Sequence, residues 1–410
     1  MPSQTQDRLP PGFNRLAWSN LAAQSAEQIA LAAIPIVAVL ALGVGAGETG
    51  LLQTAATLPF LLLSIPAGIL TDRMSRRRLM AWAEALRVLS LVAILVLFAL
   101  DLVTWPVLAL LGFLGACGTV VFSVATPALV PALVPPAALG AANGRIELAR
   151  TVAFAGGPAL AGALVGWSGA GVAFALAAML STGAVLMLAG LHELPRPVLP
   201  PRHPLRDLIE GAQFSFRHHL LVPVFVTQAL FNTAFFMMFA VYVPYAVRHL
   251  GLSASEVGAT MAAYGIGMIV GAVLAPRVLR RLPFGIVTAL GPIAGFASSL
   301  VMVLTIFVPS GVLAGLAFFL IGVGPILWVI STTTLRQAIT PSGLLGRVSA
   351  INSTLAQGFR PVGAGLGALV GGLYGAEICL YVAAVGFLLQ AGVILTSPVV
   401  RLDRQPEMVG

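Results

Sequence analysis

Runs of apolar residues long enough to cross a membrane recur along the whole chain, and they constrain the fold more than any other feature. A helix needs about 20 apolar residues to span roughly 30 Å of hydrocarbon, where only helices or closed barrels satisfy every backbone group. The runs lack the alternation of apolar and polar residues that a barrel strand requires. At 59% hydrophobic and 9% charged residues, the composition also lies outside the range of a soluble domain. The sequence therefore predicts an all-α membrane protein.

Twelve segments are long enough to span: 16–43, 49–70, 79–100, 104–126, 146–168, 170–190, 219–247, 255–275, 284–308, 310–335, 347–371 and 375–397. A polar stretch rich in Pro and Arg, 192–218, falls near the middle. We therefore expect an N-terminal six-helix bundle at 1–191, a linker at 192–218, a second six-helix bundle at 219–400 and a tail at 401–410. Within the linker, Asp207, Glu210 and Arg217 are placed to form a short surface helix.

The basic residues, all of them arginines, lie in alternate loops. If the N-terminus is cytoplasmic, the loops on the opposite side contain only Arg248. Cytoplasmic loops of membrane proteins carry an excess of basic residues, so this asymmetry predicts an even number of spans with both termini in the cytoplasm of a bacterial inner-membrane protein. The arginines form no single basic face, and we expect no nucleic-acid partner.

The two predicted bundles also repeat a polar pattern. Asn20 and Gln24 in the first span, like Gln228 and Asn232 in the seventh, are four residues apart and share one helical face. Internal repeats of this kind are typical of transporters that bind their solute between two halves.

The loop after the second span has a recognisable motif. It reads Gly68-Ile-Leu-Thr-Asp72-Arg73-Met-Ser75-Arg76-Arg77-Arg78 and resembles the loop signature of the major facilitator superfamily, Gly-x-x-x-Asp-Arg-x-Gly-Arg-Arg, with Ser75 in place of a glycine. The resemblance implies the major facilitator fold, with two pseudo-symmetric bundles, and a gate at Asp72, Arg73, Arg76 and Arg77. The matching place in the second half, Gly271 to Arg277, lacks the acid, so we expect a weaker latch there.

Two further stretches narrow the resemblance. Gly156-Gly157-Pro158-Ala-Leu-Ala-Gly162 in the fifth span is similar to the glycine-proline motif of the superfamily's drug:proton antiporters, although the upstream glycine is absent. The stretch Leu335 to Pro341, followed by Leu345-Gly346-Arg347, resembles the efflux branch that includes enterobactin-exporter-like and macrolide-efflux-like proteins. The resemblance implies close helix packing at Gly157, Pro158 and Gly162.

Ionisable residues inside spans are functional candidates because each one costs free energy unless it is paired or hydrated. Glu27 lies about midway along the first span, on the face of Asn20 and Gln24 and next to Gln28. One interpretation is that this stripe lines the central cavity and that Glu27 exchanges the coupling proton. The alternative is a structural carboxyl that is permanently paired.

Arg360 lies at a similar depth in the eleventh span, with Gln357 on the same face. It is a candidate counter-ion of Glu27 or a binding group for an anionic solute, whereas the structural alternative has it reach the surface or hold carbonyls at the Pro361 kink. Aromatic residues are candidates for a hydrophobic pocket: Trp18, Phe231, Phe235, Phe236, Tyr242, Tyr245, Tyr264 and Trp328. Together, Gln228, Asn232, Phe235, Gln357 and Arg360 are the cavity residues expected from the second half.

Two Glu-x-x-Arg pairs, Glu84 with Arg87 and Glu147 with Arg150, fall early in spans three and five. Residues three apart face each other on a helix, so structural pairing near water is the favoured interpretation, with a contact to the gate loop as the alternative. We include the four residues among the gate candidates.

The remaining polar residues define no other chemistry. The five histidines lack ligand spacing, no phosphate-binding Gly-x-x-x-x-Gly-Lys motif occurs, and no catalytic constellation can be assembled, so we expect no metal, no cofactor and no enzyme activity. We expect a monomer that exports an amphipathic drug-like or siderophore-like molecule in exchange for protons. The alternatives are proton-coupled nutrient uptake, lysolipid transport, and a transport-inactive membrane sensor or partner subunit.

Overall fold

The computed structural model describes residues 10–135, 138–191, 204–341 and 344–404. These residues form thirteen α-helices: α1 Pro11–Leu42, α2 Ala46–Arg73, α3 Arg76–Ala99, α4 Trp105–Leu129, α5 Leu139–Ser168, α6 Ala170–Ala189, α7 Pro204–Arg217, α8 Leu221–Arg248, α9 Ala254–Arg281, α10 Phe284–Phe307, α11 Gly311–Ile339, α12 Leu345–Tyr374 and α13 Ala376–Leu395. The predicted all-α fold class is confirmed, and the short helix expected in the linker is present as α7.

Eleven helices of the described chain are long and apolar enough to cross a membrane. The two that fall short are α7, which has 14 residues, and α12. Helix α12 corresponds to the predicted eleventh span, and its first sixteen residues carry Arg347, Asn352, Gln357 and Arg360. Its 30 residues are long enough to span, so its polar half is what separates it from the others, and the count of twelve spans stays a prediction.

The two sets of six helices repeat one packing arrangement. In the first set, α1 packs on α5 and α6, and α3 packs on α4 and α6. In the second set, α8 packs on α12 and α13, and α10 packs on α11 and α13. The turn between the last two helices of each set, α5–α6 and α12–α13, is also repeated. Gly169 and Gly375 in these turns have φ values of +85° and +89°, a conformation that favours glycine.

The repeat extends to single contacts. Ser90 in α3 donates a hydrogen bond to the carbonyl of Leu111 in α4, and Ser298 in α10 donates to the carbonyl of Ala317 in α11 at 2.7 Å. Both serines occupy the same position of a 24-residue helix. The sequence similarity between the halves is weak, yet α3 and α10 can be aligned residue by residue on these two serines.

The packing of the helices divides the chain into two compact units. Unit 1 comprises Met1–Val44, Ala55–Pro197 and Ser253–Ala262, and unit 2 comprises Gly45–Thr54, Val198–Leu252 and Ala263–Gly410. One end of unit 1 has a buried apolar cluster around Phe13, Leu16 and Phe122, and unit 2 has a corresponding cluster around Phe225, Leu335 and Val348. Cys379 is buried and Cys117 is partly buried, as small apolar residues would be.

Candidate functional site

The polar stripe of α1 divides into buried and half-buried members. Asn20 is buried and its amide donates a 3.4 Å hydrogen bond to the carbonyl of Ile146 in α5. Gln28 is buried as well, whereas Gln24 and Glu27 are half-buried. Asn20 and Gln28 therefore pack between helices, and Gln24 and Glu27 keep part of their surface accessible.

Arg87 connects two carboxylates inside unit 1. Its Nη1 lies 2.7 Å from Oε1 of Glu84 in the same helix, and its Nη2 lies 3.9 Å from Oε2 of Glu27 in α1. The guanidinium also donates to the carbonyl of Ala23 at 3.0 Å and to Oγ1 of Thr119 in α4 at 2.6 Å. These contacts fix the guanidinium between α1, α3 and α4 in a position where both carboxylates can interact with it.

The position of this pair differs from the sequence-based expectation. Glu84 and Arg87 were expected close to water, but the Glu84 side chain is fully buried and that of Arg87 is 4% exposed. The reason is that α3 begins at Arg76, so Arg87 lies midway along the helix and faces α1 and α4. The sequence revealed the Glu-x-x-Arg pair, but it missed Thr119 and the contact with Glu27, because these partners come from other helices.

Gly157 allows α5 to approach α1 next to Glu27. A Cβ atom at Gly157 would overlap the Cβ of Gln28 and lie 3.2 Å from its backbone carbonyl carbon. Gly156 faces open space, with no atom within 4 Å of the equivalent position. Pro158 follows inside the same helix and is buried. The close packing implied by the glycine-proline motif is therefore present at Gly157, and it holds the backbone next to Glu27.

A second close approach in unit 1 involves Gly162. A Cβ there would lie 2.5 Å from the carbonyl oxygen of Ala254 and 2.7 Å from the Cα of Gly258. One turn further along α5, a Cβ at Gly166 would lie 3.6 Å from the Cβ of Ser255. The end of α5 and the beginning of α9 are thus in backbone contact through small residues, as in membrane helix pairs with small-x-x-x-small patterns.

In unit 2, the polar residues of α8 lie beside aromatic rings. The Asn232 amide donates a 2.9 Å hydrogen bond to the carbonyl of Gln228 one turn earlier in α8. Phe235 has ring centroids of Phe231, Phe236, Phe239 and Tyr264 within 5.3 to 5.7 Å. Phe235 itself is buried, but the four surrounding rings are only partly buried. They form a continuous aromatic surface, which we call the aromatic wall.

Arg360 lies against this wall. Its guanidinium carbon is 5.3 Å from the ring centroid of Phe236, within the range of a cation–π interaction. Gln357, one turn earlier on α12, has a buried Oε1 that accepts no hydrogen bond from any described residue. A cation therefore lies against the aromatic wall, with a buried acceptor three residues away on the same helix. Pairing of Arg360 with Glu27 stays a prediction.

Other aromatic candidates lie elsewhere. Trp18 is 57% exposed on the surface of the helix bundle. The hydroxyl of Tyr245 is hydrogen-bonded to Thr305 at 2.7 Å, and its ring stacks on His249. Trp328 is buried in the apolar cluster of unit 2.

The gate candidates of the loop motif after α2 lie at helix ends. Arg77 donates to the carbonyls of Ala189 and Leu191 at 3.0 and 2.9 Å, and Arg76 donates to the carbonyl of Ala128. Cations are favourable at helix C-termini, so these arginines fasten the ends of α4 and α6 to α3. Arg73 is exposed, and the side chain of Asp72 lies outside the described residues. Whether these contacts act as a gate stays a prediction.

Glu147 and Arg150 form an exposed pair on α5. Nε of Arg150 lies 3.1 and 3.0 Å from the two carboxylate oxygens of Glu147, with 40% and 56% of the Arg150 and Glu147 side chains exposed. Such exposed pairs contribute little to stability, at most about 1 kcal/mol. No cluster of three or more His, Cys, Asp or Glu residues suited to a metal occurs within the described ranges.

The repeated six-helix sets, the apolar spans and the buried charges in unit 1 define the class of polytopic membrane transporters. Residues 16–363 match the Major Facilitator Superfamily, and the chain belongs to that family. The chain is 30% identical over 337 residues to an uncharacterised MFS-type transporter of Sinorhizobium fredii, covering 78% of this chain and 79% of the relative. It is 28% identical over 349 residues to the enterobactin exporter EntS of Escherichia coli, covering 82% and 80%.

The fold is also similar to solved transporters. A crystal structure of a bacterial homologue of the iron transporter ferroportin, in an inward-facing state, superposes with a TM-score of 0.75, 19% identity, and coverage of 94% of this chain and 98% of that one. The family and its relatives are transporters, so the protein is a transporter rather than an enzyme. It is a multi-pass protein of the bacterial inner membrane.

Proposed function

We propose that this transporter exports an amphipathic small molecule, drug-like or siderophore-like, in exchange for protons by alternating access of the bundles 1–191 and 219–400. The efflux direction is supported by the 28% identical enterobactin exporter, which covers most of the chain. The proton coupling rests on a different observation, the sharing of Arg87 between Glu84 and Glu27.

The geometry around Arg87 supports Glu27 as the group that exchanges the proton. Glu84 is fully buried and 2.7 Å from the guanidinium, so its charge is compensated within its own helix. Glu27 is further from the guanidinium, at 3.9 Å, and its side chain is 15% exposed. Of the two carboxylates, Glu27 is therefore the one that a proton can reach, and protonating it leaves the neutral Arg87–Glu84 pair intact.

Release of the proton restores the negative charge that Arg87 attracts. In the proposed cycle, a proton taken up from outside neutralises Glu27 and is given up to the cytoplasm, and solute leaves in the opposite direction. The packing of Gly157 against Gln28 places the backbone of α5 beside Glu27. Movement of the bundle 1–191 against the bundle 219–400 then changes the side of the membrane from which a proton can reach this carboxyl, which is the link required between protonation and access.

The aromatic wall supports the proposed solute class. Rings with partly accessible faces favour flat, apolar groups, and the Arg360 guanidinium favours an anionic group at the same place. Gln357 adds a hydrogen-bond acceptor for a hydroxyl. An aromatic molecule with an acidic or phenolic group fits this combination better than a sugar or a peptide does.

The experiment uses inside-out vesicles whose lumen is acidified, with a fluorescent dye that reports the pH gradient. Drugs, dyes and catechol-type siderophores are added in turn. An antiporter moves the compound inward and protons outward, so the gradient collapses upon addition of a substrate. We expect wild type to respond, Glu27→Gln to lose the proton signal, and Arg360→Ala to lose the response to anionic compounds while retaining that to neutral ones.

Three results would count against the proposal. A Glu27→Gln variant with a wild-type proton signal removes Glu27 from coupling. Acidification of the lumen upon addition of a compound indicates symport and an importer. Labelled compound that enters without any pH change, in wild type and variant alike, indicates transport without protons.

A further inference from the structure

Helix α7, between the two six-helix sets, has three faces rather than two. One face packs on other helices of unit 2: a Cβ at Gly211 would lie 2.9 Å from the Cβ of Arg347, and Ser215 is fully buried. Ala212 and Phe214 pack against the apolar cluster formed by α8 and α10–α12. An ion pair between Glu210 and Arg347 fastens the helix to the beginning of α12. This face accounts for the attachment of α7 to the protein.

The second face is apolar and uncovered. Ile209 is 54% exposed and Phe216 is 55% exposed. They are seven residues apart, which is about two helical turns, so they lie on one line along the helix. A soluble surface helix buries its apolar stripe and exposes polar residues. Here a large aromatic and a β-branched side chain are each about half exposed on the same side of the helix.

The third face is polar. Gln213 and Arg217 are exposed, and at 100° per residue they lie between the apolar line and Glu210 around the helix. The order around α7 is therefore protein, apolar surface, polar surface. This order fits a helix at the edge of a bilayer, with lipid beside it and water or headgroups above it.

The position of Phe216 relates this apolar line to the membrane. Its ring meets the ring of Phe225 edge-on, with centroids 6.3 Å apart. Phe225 lies in the second turn of α8, a membrane-spanning helix that begins at Leu221. A side chain that contacts the second turn of a span and stays half exposed lies at the depth where headgroups meet acyl chains.

We propose that α7 is an interfacial helix, with Ile209 and Phe216 inserted between the lipids on the side of the membrane where α8 begins. The Arg217 side chain then reaches the headgroup layer. Through the Glu210–Arg347 ion pair, the lipid-facing helix is fastened to α12, the helix that carries Gln357 and Arg360. The inference is independent of the proposed substrate and of proton coupling.

The test uses spin labels in lipid vesicles. The chain has two cysteines, so Cys117→Ser with Cys379→Ala provides a background for Ile209→Cys, Phe216→Cys and the control Gln213→Cys. In phosphatidylethanolamine and phosphatidylglycerol vesicles, we expect labels at 209 and 216 to collide several-fold more with oxygen than with a water-soluble nickel chelate. The label at 213 should show the opposite preference. Nickel-dominated collisions at 209 and 216 overturn the proposal, as does dipolar broadening that places a second copy there.

A second measurement does not depend on the folding of the cysteine-free background. Phe216→Trp and Gln213→Trp in the otherwise wild-type chain share the same five native tryptophans. Lipids brominated near the glycerol backbone should quench the first variant more than the second. Equal quenching contradicts the insertion of Phe216.

Discussion

The carboxylate of Glu84 lies 2.7 Å from the guanidinium of Arg87, three residues further along α3, and its side chain has no exposed surface. Burying two charges is costly even when they pair, and removing one partner leaves an uncompensated charge. Removing only one of the two charges should therefore destabilise the fold. Replacing both residues by apolar ones should be tolerated by the fold. This distinction separates its structural role from its role in transport.

We expect Arg87→Leu alone to destabilise the protein by about 3–5 kcal/mol, because Glu84 is left buried without its cation. The double variant Glu84→Met with Arg87→Leu should recover most of the apparent melting temperature, measured in detergent by scanning fluorimetry. It should not recover proton-coupled transport, since Glu27 has lost the guanidinium. A double variant with wild-type coupling would exclude Arg87 from the mechanism.

Gly157 and its neighbour Gly156 form a matched pair for substitution. Gly157→Ala places a Cβ against Gln28, and overpacking of this kind costs about 1–3 kcal/mol. Gly156→Ala meets no atom within 4 Å, so it should be neutral or slightly stabilising. Thermal stability and transport in the vesicle assay should both be reduced for Gly157→Ala only. Equal behaviour of the two variants would contradict the close contact between α1 and α5.

Gly166 and Ser255 provide a test of the movement between α5 and α9. A Cβ at Gly166 lies 3.6 Å from that of Ser255, within the range of a disulfide. In the cysteine-free background, Gly166→Cys with Ser255→Cys should form a disulfide upon oxidation. If alternating access separates these helix ends, oxidation should abolish transport and reduction should restore it. Each single variant serves as a control, and full transport by the oxidised pair would contradict separation at this contact.

His218, at the junction of α7 and α8, predicts a pH effect on stability. Burial, and secondarily the charge of the stacked His219, lower the pKa of His218 from its ordinary value of 6.5. The folded protein therefore prefers the neutral ring, and the unfolded chain binds the proton first as the pH falls below 6.5. Stability should decrease over this window until the folded-state ring itself is protonated.

The matched variants for this effect are His218→Gln and His219→Gln. Between about pH 7.5 and about pH 5.5, a window around the ordinary pKa of histidine, the apparent melting temperature of wild type should fall more than that of His218→Gln. The His219→Gln variant should retain a dependence in the wild-type direction, because burial is the larger cause of the lowered pKa of His218. An unchanged slope in His218→Gln would assign the pH dependence to another group.

The sequence predicted the helices well because hydropathy and loop charge are local properties. All twelve predicted segments coincide with helices, and the linker helix is where Asp207, Glu210 and Arg217 indicated it. The expectation that Glu84 lies close to water was wrong, because the burial of this side chain depends on where α3 begins and on which helices cover it. The contact between Arg87 and Glu27 could not be read from either helix alone, since it depends on how α1, α3 and α4 come together around the Arg87 side chain.

The exposed line on α7 illustrates the same limit. Its amphipathic pattern is visible in the sequence, but the pattern does not say which apolar residues face the protein. Only the burial of Gly211 and Ser215 against other helices of unit 2 shows that Ile209 and Phe216 lie on a different, exposed face. Sequence alone therefore predicts that such a helix exists, and the structure identifies its lipid-facing side.

The register between α3 and α10 provides a comparison within the same molecule. Because Ser90 and Ser298 are equivalent, the places of Glu84 and Arg87 in α3 correspond to Pro292 and Gly295 in α10. Helix α10 packs mainly on α11 and α13, as α3 packs on α4 and α6, and it contains no ionisable residue. The same helix position is thus occupied once by a helix with a buried charge pair, α3, and once by a helix of equal length without one, α10. Architecture alone therefore does not demand the charges, and the buried pair is a feature of one copy of the repeat only.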